Sequence, residues 1–230
     1  MVRTAVGAAA AGAAIAAAGY VTLVGNAWMR FGRGPGGHAR EDQDALLDAF
    51  VPVYDVVERH HIVVDAPASV TLASARALNA GGSYLSRAIF KTRELVMGAE
   101  NKPMPAGGLL AAMLQIGWGV LAEQPEREIV LGAVTRPWEP SPVFRTIPAS
   151  EFAAFNEPGY VKIALTLRAD ALGDDRSVFR TETRAIATDA EARRLFRRYW
   201  ALVSPGVALI RLAMLKPVKA AAESAAAREH

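Results

Sequence analysis

Two successive hairpin patterns constrain this chain more than any other feature of its sequence. Residues 116–123 and 127–136 are rich in alternating apolar side chains and flank Gln124-Pro125-Glu126. Residues 160–169 and 177–188 repeat the arrangement across Leu172-Gly173-Asp174-Asp175. Strands joined by such short connections pair antiparallel. Because residues 56–65 are also rich in β-branched side chains and end at a proline, the sequence predicts a further strand, and hence an antiparallel sheet at the centre of the fold.

Helical patterns surround these strands. Three helices are predicted in the first half of the chain, over residues 41–54, 68–79 and 83–97. A long C-terminal helix is predicted from Thr188, which forms a capping box with Glu191. Pro205 is expected to start a new helix or kink this one, and Pro217 to kink it again. Strands grouped together, with helices kept apart, indicate the α+β class.

Composition excludes several classes of function. The chain has no Cys, which excludes disulfides, thiol nucleophiles and Cys-ligated metal sites. The net charge of +3 comes from arginines in the first 33 residues, so the remainder has no concentrated positive field and nucleic-acid binding is not expected. His60 and His61 are adjacent and face opposite sides of a strand, so no metal site is expected. No cofactor is predicted, because the glycine-rich run 32–37 follows no strand and is interpreted as linker.

The N-terminal segment is uncharged from Thr4 to Met29. We interpret residues 1–30 as a hydrophobic helix that anchors the chain in a membrane; a cleaved export signal and a soluble Ala-rich helix are the alternatives. Arg30, Arg33 and Arg40 follow the segment and favour a cytoplasmic folded domain, with export or a soluble protein as alternatives. Residues 31–45 are then a Gly-rich linker, 46–224 the folded domain and 225–230 a frayed tail.

Three segments resemble the START-like, or SRPBCC, superfamily, whose fold is called a helix grip. Residues 58–68 resemble its first strand and the entry to its helix pair, and residues 127–132 resemble an internal strand. Residues 181–184, followed by the helix after Asp189, resemble the last strand and the gripping helix. The likeness covers roughly residues 50–220 and is nearest to bacterial members without a characterised activity. It implies an antiparallel sheet curled around a long C-terminal helix, with a lipid, polyketide or other apolar molecule held between them.

Strand alternation predicts which side chains face that gap. Val161, Ile163, Leu165 and Leu167 share one face of their strand, and the residues between them point away from the helix. Glu182 and Arg184 are placed on the outside, paired with Lys162 and Arg168. Seven residues are predicted to contact a ligand, three on the last strand and four with large or hydroxyl side chains elsewhere: Trp118, Thr135, Trp138, Phe179, Thr181, Thr183 and Tyr199.

The sequence therefore predicts a membrane-tethered domain that binds a small apolar molecule between sheet and C-terminal helix. One alternative is an enzyme of the cyclase or dehydratase type, with His60, His61 or Glu128 as a titratable residue in the cavity. Another is a filled-core interaction module at the membrane. No catalytic residue is assigned and the oligomeric state stays open. Arg211 interrupts an apolar stretch and is expected to find a carboxylate, with Glu58, Glu94 and Glu123 as the possible partners.

Four arginines of the C-terminal helix share one arc, namely Arg193, Arg194, Arg197 and Arg198. The arc is typical of a solvated helix face. Contact with anionic lipid headgroups is the alternative.

Overall fold

A computed structural model describes residues 18–33, 43–78 and 107–229 of the chain. The helices are α1 (18–30), α2 (Ala45–Asp48), α3 (Ala68–Ala77), α4 (Leu109–Gln115), α5 (Ala149–Phe152) and α6 (Ala190–Glu229). The strands are β1 (Val56–Val64), β2 (Gly119–Gln124), β3 (Glu128–Thr135), β4 (Val161–Ala171) and β5 (Ser177–Ala187). The predicted helix 83–97, residues 1–17 of the predicted anchor, most of the predicted linker and Glu94 lie outside the described residues.

The five strands form one antiparallel sheet in the order β1-β5-β4-β3-β2. Both predicted hairpins are present, and β1 pairs with β5 although about 120 residues separate them. The long helix α6 packs against the sheet, and α3 packs against both α6 and the sheet. The α+β prediction is therefore confirmed, and the arrangement is like a helix grip.

The face of the sheet toward α6, called here the inner face, carries the main core. Its strand residues are those that alternation predicts, including Ile129, Leu131, Leu165 and Leu167, all of them buried. From α6, Leu215, Val218 and Ala222 complete the cluster. The core is therefore built from the two regular periods of the sequence, which are 2 residues along the strands and 3.6 residues along the helix.

The opposite, outer face is also covered, by α2, α5 and the segments beside them. Val130 and Val134 on β3 pack there with Phe152 and Leu47, so every residue of β3 is buried. Gly132 permits this close approach, because a Cβ at its position would stand 2.4 Å from Leu121 Cδ1. The proline-rich residues 137–148 are irregular, as predicted, and form an isolated backbone bridge with β3 between Arg145 and Val134.

Helix α6 is one continuous helix with both Pro205 and Pro217 inside it. The alternative that a new helix starts at Pro205 is therefore wrong, because buried residues on both sides of each proline fix one helix to the core. A kink at Pro205 or Pro217 stays a prediction. It extends to Glu229 and includes most of the predicted tail 225–230. Its cap is Asp189 rather than Thr188: Asp189 Oδ1 accepts from the Ala192 amide at 2.8 Å, whereas Thr188 is occupied by the backbone of Tyr160.

Two other boundaries differ from the prediction. The segment 41–54 contains only the short helix α2 among its described residues. The strand predicted over 116–123 begins at Gly119, because α4 ends at Gln115 and Gly117 makes a turn with φ +104°. A register shift between Val120 and Ala122 then changes the face of the strand, so Ala122 packs on the outer face and Val120 is exposed.

Helix α1 lies beside the first half of α6. Its end is fixed at Gly32, which has φ +70° and donates its amide to Asp55 O at 2.7 Å. Arg193 binds Asp55 Oδ1 at 2.6 Å, and Arg197 donates to Trp28 O at 3.0 Å. Two of the four arginines on the predicted arc are therefore engaged with this part of the chain rather than only with solvent.

Candidate functional site

Five polar side chains meet between the sheet and α6, and together they are called here the inner polar cluster: Glu58, His60, Thr181, Thr183 and Arg211. Glu58 lies opposite Thr183, and His60 opposite Thr181, in the β1–β5 register. Since these positions alternate with outward residues, all four face α6. Arg211 Nη2 donates to Thr183 Oγ1 at 2.9 Å, and Glu58 Oε2 lies 3.5 Å from His60 Nε2.

Burial controls the charge of this cluster. It raises the pKa of Glu58, although the positive charges of Arg211 and Arg30 oppose the rise. It lowers the pKa of His60, and the charge of Arg211 adds to this effect. It lowers the pKa of Arg211 to about 10, against the attraction of Glu58. Near neutral pH the cluster therefore presents a guanidinium cation beside a neutral imidazole.

Two atoms of the cluster have no hydrogen-bond partner among the described protein atoms. They are His60 Nε2 and Thr181 Oγ1, both shielded from solvent. An unpaired polar atom in a protein interior costs about 1–3 kcal/mol. Native structures retain such atoms rarely, and often where function requires them.

Two cavities of very different volume lie beside the cluster. A small pocket on the inner face, bounded by Leu167, Phe179, Thr181 and Arg211 among others, has a volume of about 10 Å³, which is room for no more than a water molecule. A cleft of about 670 Å³ lies between α1, β1 and α6, and Glu58 forms part of its wall. Glu58 thus links the cleft to the inner polar cluster.

The cleft has both apolar and charged walls. Its apolar side chains come from all three elements and include Leu23, Phe31, Val56, Trp200 and Pro205. Its charged side chains are Arg30, Arg33, Asp55, Glu58 and Arg59. Asp55 is bound to Arg193, and Arg59 to Glu182 at 2.6 Å. Arg30 and Arg33 form no ion pair with another described residue, so the cleft has two cations available at its α1 side.

The structure brings together three of the seven predicted ligand contacts. Phe179 and Thr181 border the 10 Å³ pocket, and Thr183 accepts a hydrogen bond from Arg211. Trp138 and Tyr199 pack with Phe196 near the start of α6, and Trp118 lies against Phe144 with ring centroids 5.6 Å apart. Thr135 is fully buried at the end of β3. Contact of any of the seven with a ligand stays a prediction.

The outer face of β5 carries an ion-pair network in place of the predicted cross-strand pairs. Glu182 and Arg184 point outward, as predicted. Arg59 binds both carboxylate oxygens of Glu182, at 2.6 and 2.8 Å. Arg184 binds Glu182 at 2.6 Å and also pairs with Asp48 on α2. The predicted partners Lys162 and Arg168 are wrong, because they bind Ala153 O and Asp170 instead.

The three titratable candidates of the enzyme interpretation separate in space. Only His60 faces α6; His61 is exposed on the outer side of β1. Glu128 lies on the outer face, where its carboxyl group accepts from Thr166 Oγ1 at 2.7 Å and neighbours Asp44. No group of three potential metal ligands occurs among the residues that the structure describes.

Sequence reasoning named Glu58 only as one of three possible partners of Arg211. Glu58 is the acid that faces Arg211, whereas Glu123 binds Arg76 at 2.6 Å. The signal was present in β1, where Glu58 and His60 occupy the same alternating face as Ile62 and Val64. When this alternation is applied to β1 in the same way as to β4, it predicts that Glu58 and His60 both lie on the inner face.

No family model and no curated protein matches the chain. Among solved structures, a hypothetical protein from Helicobacter pylori matches with 8% identity and a TM-score of 0.40, over 80% of this chain and 98% of that one. Zhui aromatase/cyclase from Streptomyces sp. R1128 matches with 13% identity and a TM-score of 0.24, over 73% and 93%.

Norcoclaurine synthase from Thalictrum flavum matches with 11% identity and a TM-score of 0.22, over 69% of this chain and 87% of that one. At identities of 8–13% and TM-scores of 0.22–0.40, these matches assign neither a superfamily to the chain nor a role to any of its residues.

Proposed function

We propose that this protein binds a small amphipathic molecule whose apolar body lies in the cleft between α1, β1 and α6. The cleft itself supports this proposal, since its volume of about 670 Å³ is within the range of small-molecule sites. The sequence predicts a lipid-like or polyketide-like ligand between sheet and helix. The small pocket on the inner face has room for about one water molecule, whereas the adjoining cleft has room for a small molecule, and we therefore place the ligand body in the cleft.

The apolar walls supply the binding free energy and the polar groups supply orientation. Phe31, Val56 and Trp200 offer apolar surface from three separate segments. A hydroxyl or carbonyl group of the ligand that reaches past Glu58 would approach His60 and Arg211. Arg30 and Arg33, on the α1 side of the cleft, suit a negatively charged group of the ligand.

Native mass spectrometry of the full chain in mild detergent, with organic extraction, tests this proposal. We expect a reproducible co-purifying mass. Ala208→Trp places a large ring in the cleft and should remove that mass, whereas Ala220→Trp, at an exposed position of the same helix, should retain it. An empty wild-type protein that also fails to bind oleate, phosphatidylglycerol or an aromatic polyketide would contradict the proposal. Equal ligand retention by the two variants would place the ligand elsewhere.

A second candidate function is an enzyme of the cyclase or dehydratase type on the same scaffold. The observation that favours it is His60, whose depressed pKa keeps the imidazole neutral and able to accept a proton near Arg211. His60→Gln should retain the ligand in a changed chemical form, because substrate rather than product would remain bound; a dehydration changes its mass, and a cyclisation changes its chromatographic retention and fragmentation at constant mass. Extracts from wild type and His60→Gln that are identical in mass, retention and fragmentation would count against catalysis.

We also propose that residues 1–30 tether the protein to a membrane, with the folded domain in the cytoplasm. The uncharged run from Thr4 to Met29 and the arginines that follow it support this interpretation. Alkaline carbonate extraction of cell membranes should leave the full-length chain in the pellet. Recovery in the soluble fraction, or loss of the N-terminal segment from the purified mass, would contradict it.

A further inference from the structure

Exposed apolar side chains concentrate on two neighbouring helices. Of the large hydrophobic residues that are exposed in the described part of the chain, eight of fifteen belong to α1 and α6. The hydroxyl of Tyr20 on α1 donates to the carbonyl oxygen of Leu202 on α6, so the two helices lie side by side here. The apolar residues of both helices therefore form a shared surface rather than scattered positions.

Helix α6 arranges its part of this surface as a regular stripe. Leu202, Leu209 and Leu212 are 52%, 51% and 53% exposed, and their spacing of seven and three residues places them on one side of the helix. Arg198 precedes the stripe by four residues and Lys216 follows it by four, and both are exposed. We call Arg198, the three leucines and Lys216 the α6 stripe. It is an apolar centre with a cation at each end.

The two cations of the stripe form no ion pair with another described residue. Along the chain, residues 192–222 include seven Lys and Arg and no Asp or Glu. Arg193, Arg194 and Lys219 pair with Asp55, Glu191 and Glu223, whereas Arg198 and Lys216 keep their charges for a partner outside the described residues. A long apolar surface with such a cation at each end is complementary to a bilayer whose headgroups are anionic.

Packing decides how α6 would meet such a bilayer. By length and composition, Ala190–Arg228 is the one described helix that could cross a membrane, and only 22% of its most apolar 18 residues is buried. However, Leu215, Val218 and Ala222 pack on the sheet, and Arg211 points into the domain. The helix therefore remains part of the folded core, and its outer side alone is available to lipid.

We propose that the α6 stripe and the adjoining exposed side of α1 dock on the surface of an anionic lipid bilayer, with α6 parallel to it. A second copy of the chain fits this surface less well, because symmetric pairing of two stripes brings like charges together at both ends. The docking is independent of what the cleft binds. It would also hold the cleft, which lies between α1 and α6, near the lipid phase.

Sedimentation of the full chain with vesicles tests the docking. The vesicles contain phosphatidylcholine alone or with about one third phosphatidylglycerol. We expect the combined change Leu209→Ser and Leu212→Ser to weaken binding by about tenfold or more, since about half of each side chain would leave water on docking. Leu172→Ser is the matched control, because Leu172 is 52% exposed in the turn between β4 and β5.

A charge variant separates docking from any insertion of the N-terminal segment. Arg198→Gln with Lys216→Gln changes no apolar residue and should weaken binding about tenfold or more to anionic vesicles, with little effect on neutral ones. Unchanged binding of both double variants would overturn the proposal and leave the N-terminal segment as the membrane contact. A concentration-dependent dimer that the serine variant dissociates, without any change in vesicle binding, would assign the surface to a second copy instead.

Discussion

Replacing Glu128 by glutamine should stabilise this protein at alkaline pH and leave it unchanged at acid pH. Glu128 begins β3 and is 4% exposed, beside the 3% exposed Asp44. Burial, and then the hydrogen bond and negative charge of Asp44, raise the pKa of Glu128 to about 7; Thr166 and Arg168 act in the opposite direction. Below neutral pH the Glu128 carboxyl group is therefore protonated in the folded state.

The sign and size of the effect follow from this pKa. In the unfolded chain Glu128 ionises near its ordinary value of 4.5, so the folded state holds the extra proton between pH 4.5 and about 7. Stability is then lost as the pH rises through that interval. The interval corresponds to about 3 kcal/mol, at about 1.4 kcal/mol for each pH unit. Solvent screening of the pair reduces the expected loss to about 2 kcal/mol.

Glutamine reproduces the protonated carboxyl group without titrating. Its oxygen can accept from Thr166 and its amide can donate to Asp44, which keeps its own role as the cap of α2 through the Leu47 amide at 2.8 Å. The Glu128→Gln protein should therefore match wild type at pH 5 and exceed it by about 2 kcal/mol at pH 8.

Urea unfolding at pH 5, 6, 7 and 8 measures the difference directly. Glu126→Gln is the control, because Glu126 is exposed in the turn of the same hairpin. Other groups also titrate in this range, so the quantity of interest is the difference between variant and wild type. If that difference is the same at pH 5 and pH 8, the buried carboxyl pair does not govern stability in this way and the reasoning is refuted.

Three further predictions use the same unfolding assays or NMR. Glu182→Gln should lower the free energy of unfolding by about 3 kcal/mol, because it leaves two partly or fully buried arginines without their shared carboxylate. Glu157→Gln, in the exposed pair with Arg145, should lower it by less than about 1 kcal/mol. Gly132→Ala should lower stability by about 1–3 kcal/mol in thermal unfolding, and Gly19→Ala, with nothing within 4 Å, should not lower it. The imidazole of His60 should titrate by NMR with a pKa below 6.5. The fold therefore loses stability as the pH falls from 6.5 through that pKa, and a normal or raised pKa would contradict the burial of His60.

The faces of the sheet were predictable because strand alternation is a local property. Ile163, Leu165 and Leu167 lie on the inner face, and Lys162 and Thr166 lie on the outer one, as the sequence indicates. Each position needs only its neighbours along the chain to fix its side. The same rule placed Phe179, Thr181 and Thr183 toward α6.

The features that escaped prediction depend on contacts between distant segments. The start of β2 is set by the turn at Gly117, whose added Cβ would stand 2.1 Å from Phe144 O. The cap of α6 is Asp189 because the Thr188 hydroxyl is already bonded to the backbone of Tyr160, where it extends the pairing of β5 with β4. Neither outcome can be predicted from the local sequence, because each depends on a partner about 25–30 residues away along the chain.

The candidate site shows the same limit. Trp118, Trp138 and Tyr199 were chosen for their size, but where each ring meets the sheet depends on how α4, the 137–148 segment and α6 cross it. The inner polar cluster requires β1 to pair with β5 in one register and Arg211 to arrive above Thr183. A shift of α6 by one residue would rotate Arg211 by about 100° away from the sheet.

The two faces of strand β5 differ in how their polar side-chain atoms are satisfied. On its outer face Glu182 and Arg184 form a hydrogen-bonded network in which neither side chain retains a buried polar atom without a partner. On its inner face Thr181 Oγ1 has none among the described atoms, and neither has His60 Nε2 on the adjacent strand. Both faces are buried and belong to one strand pair, so burial alone does not explain the contrast. The outer network is complete within the protein, whereas a water molecule in the small inner pocket, or a polar group of the ligand that we propose, would give the two inner atoms a partner.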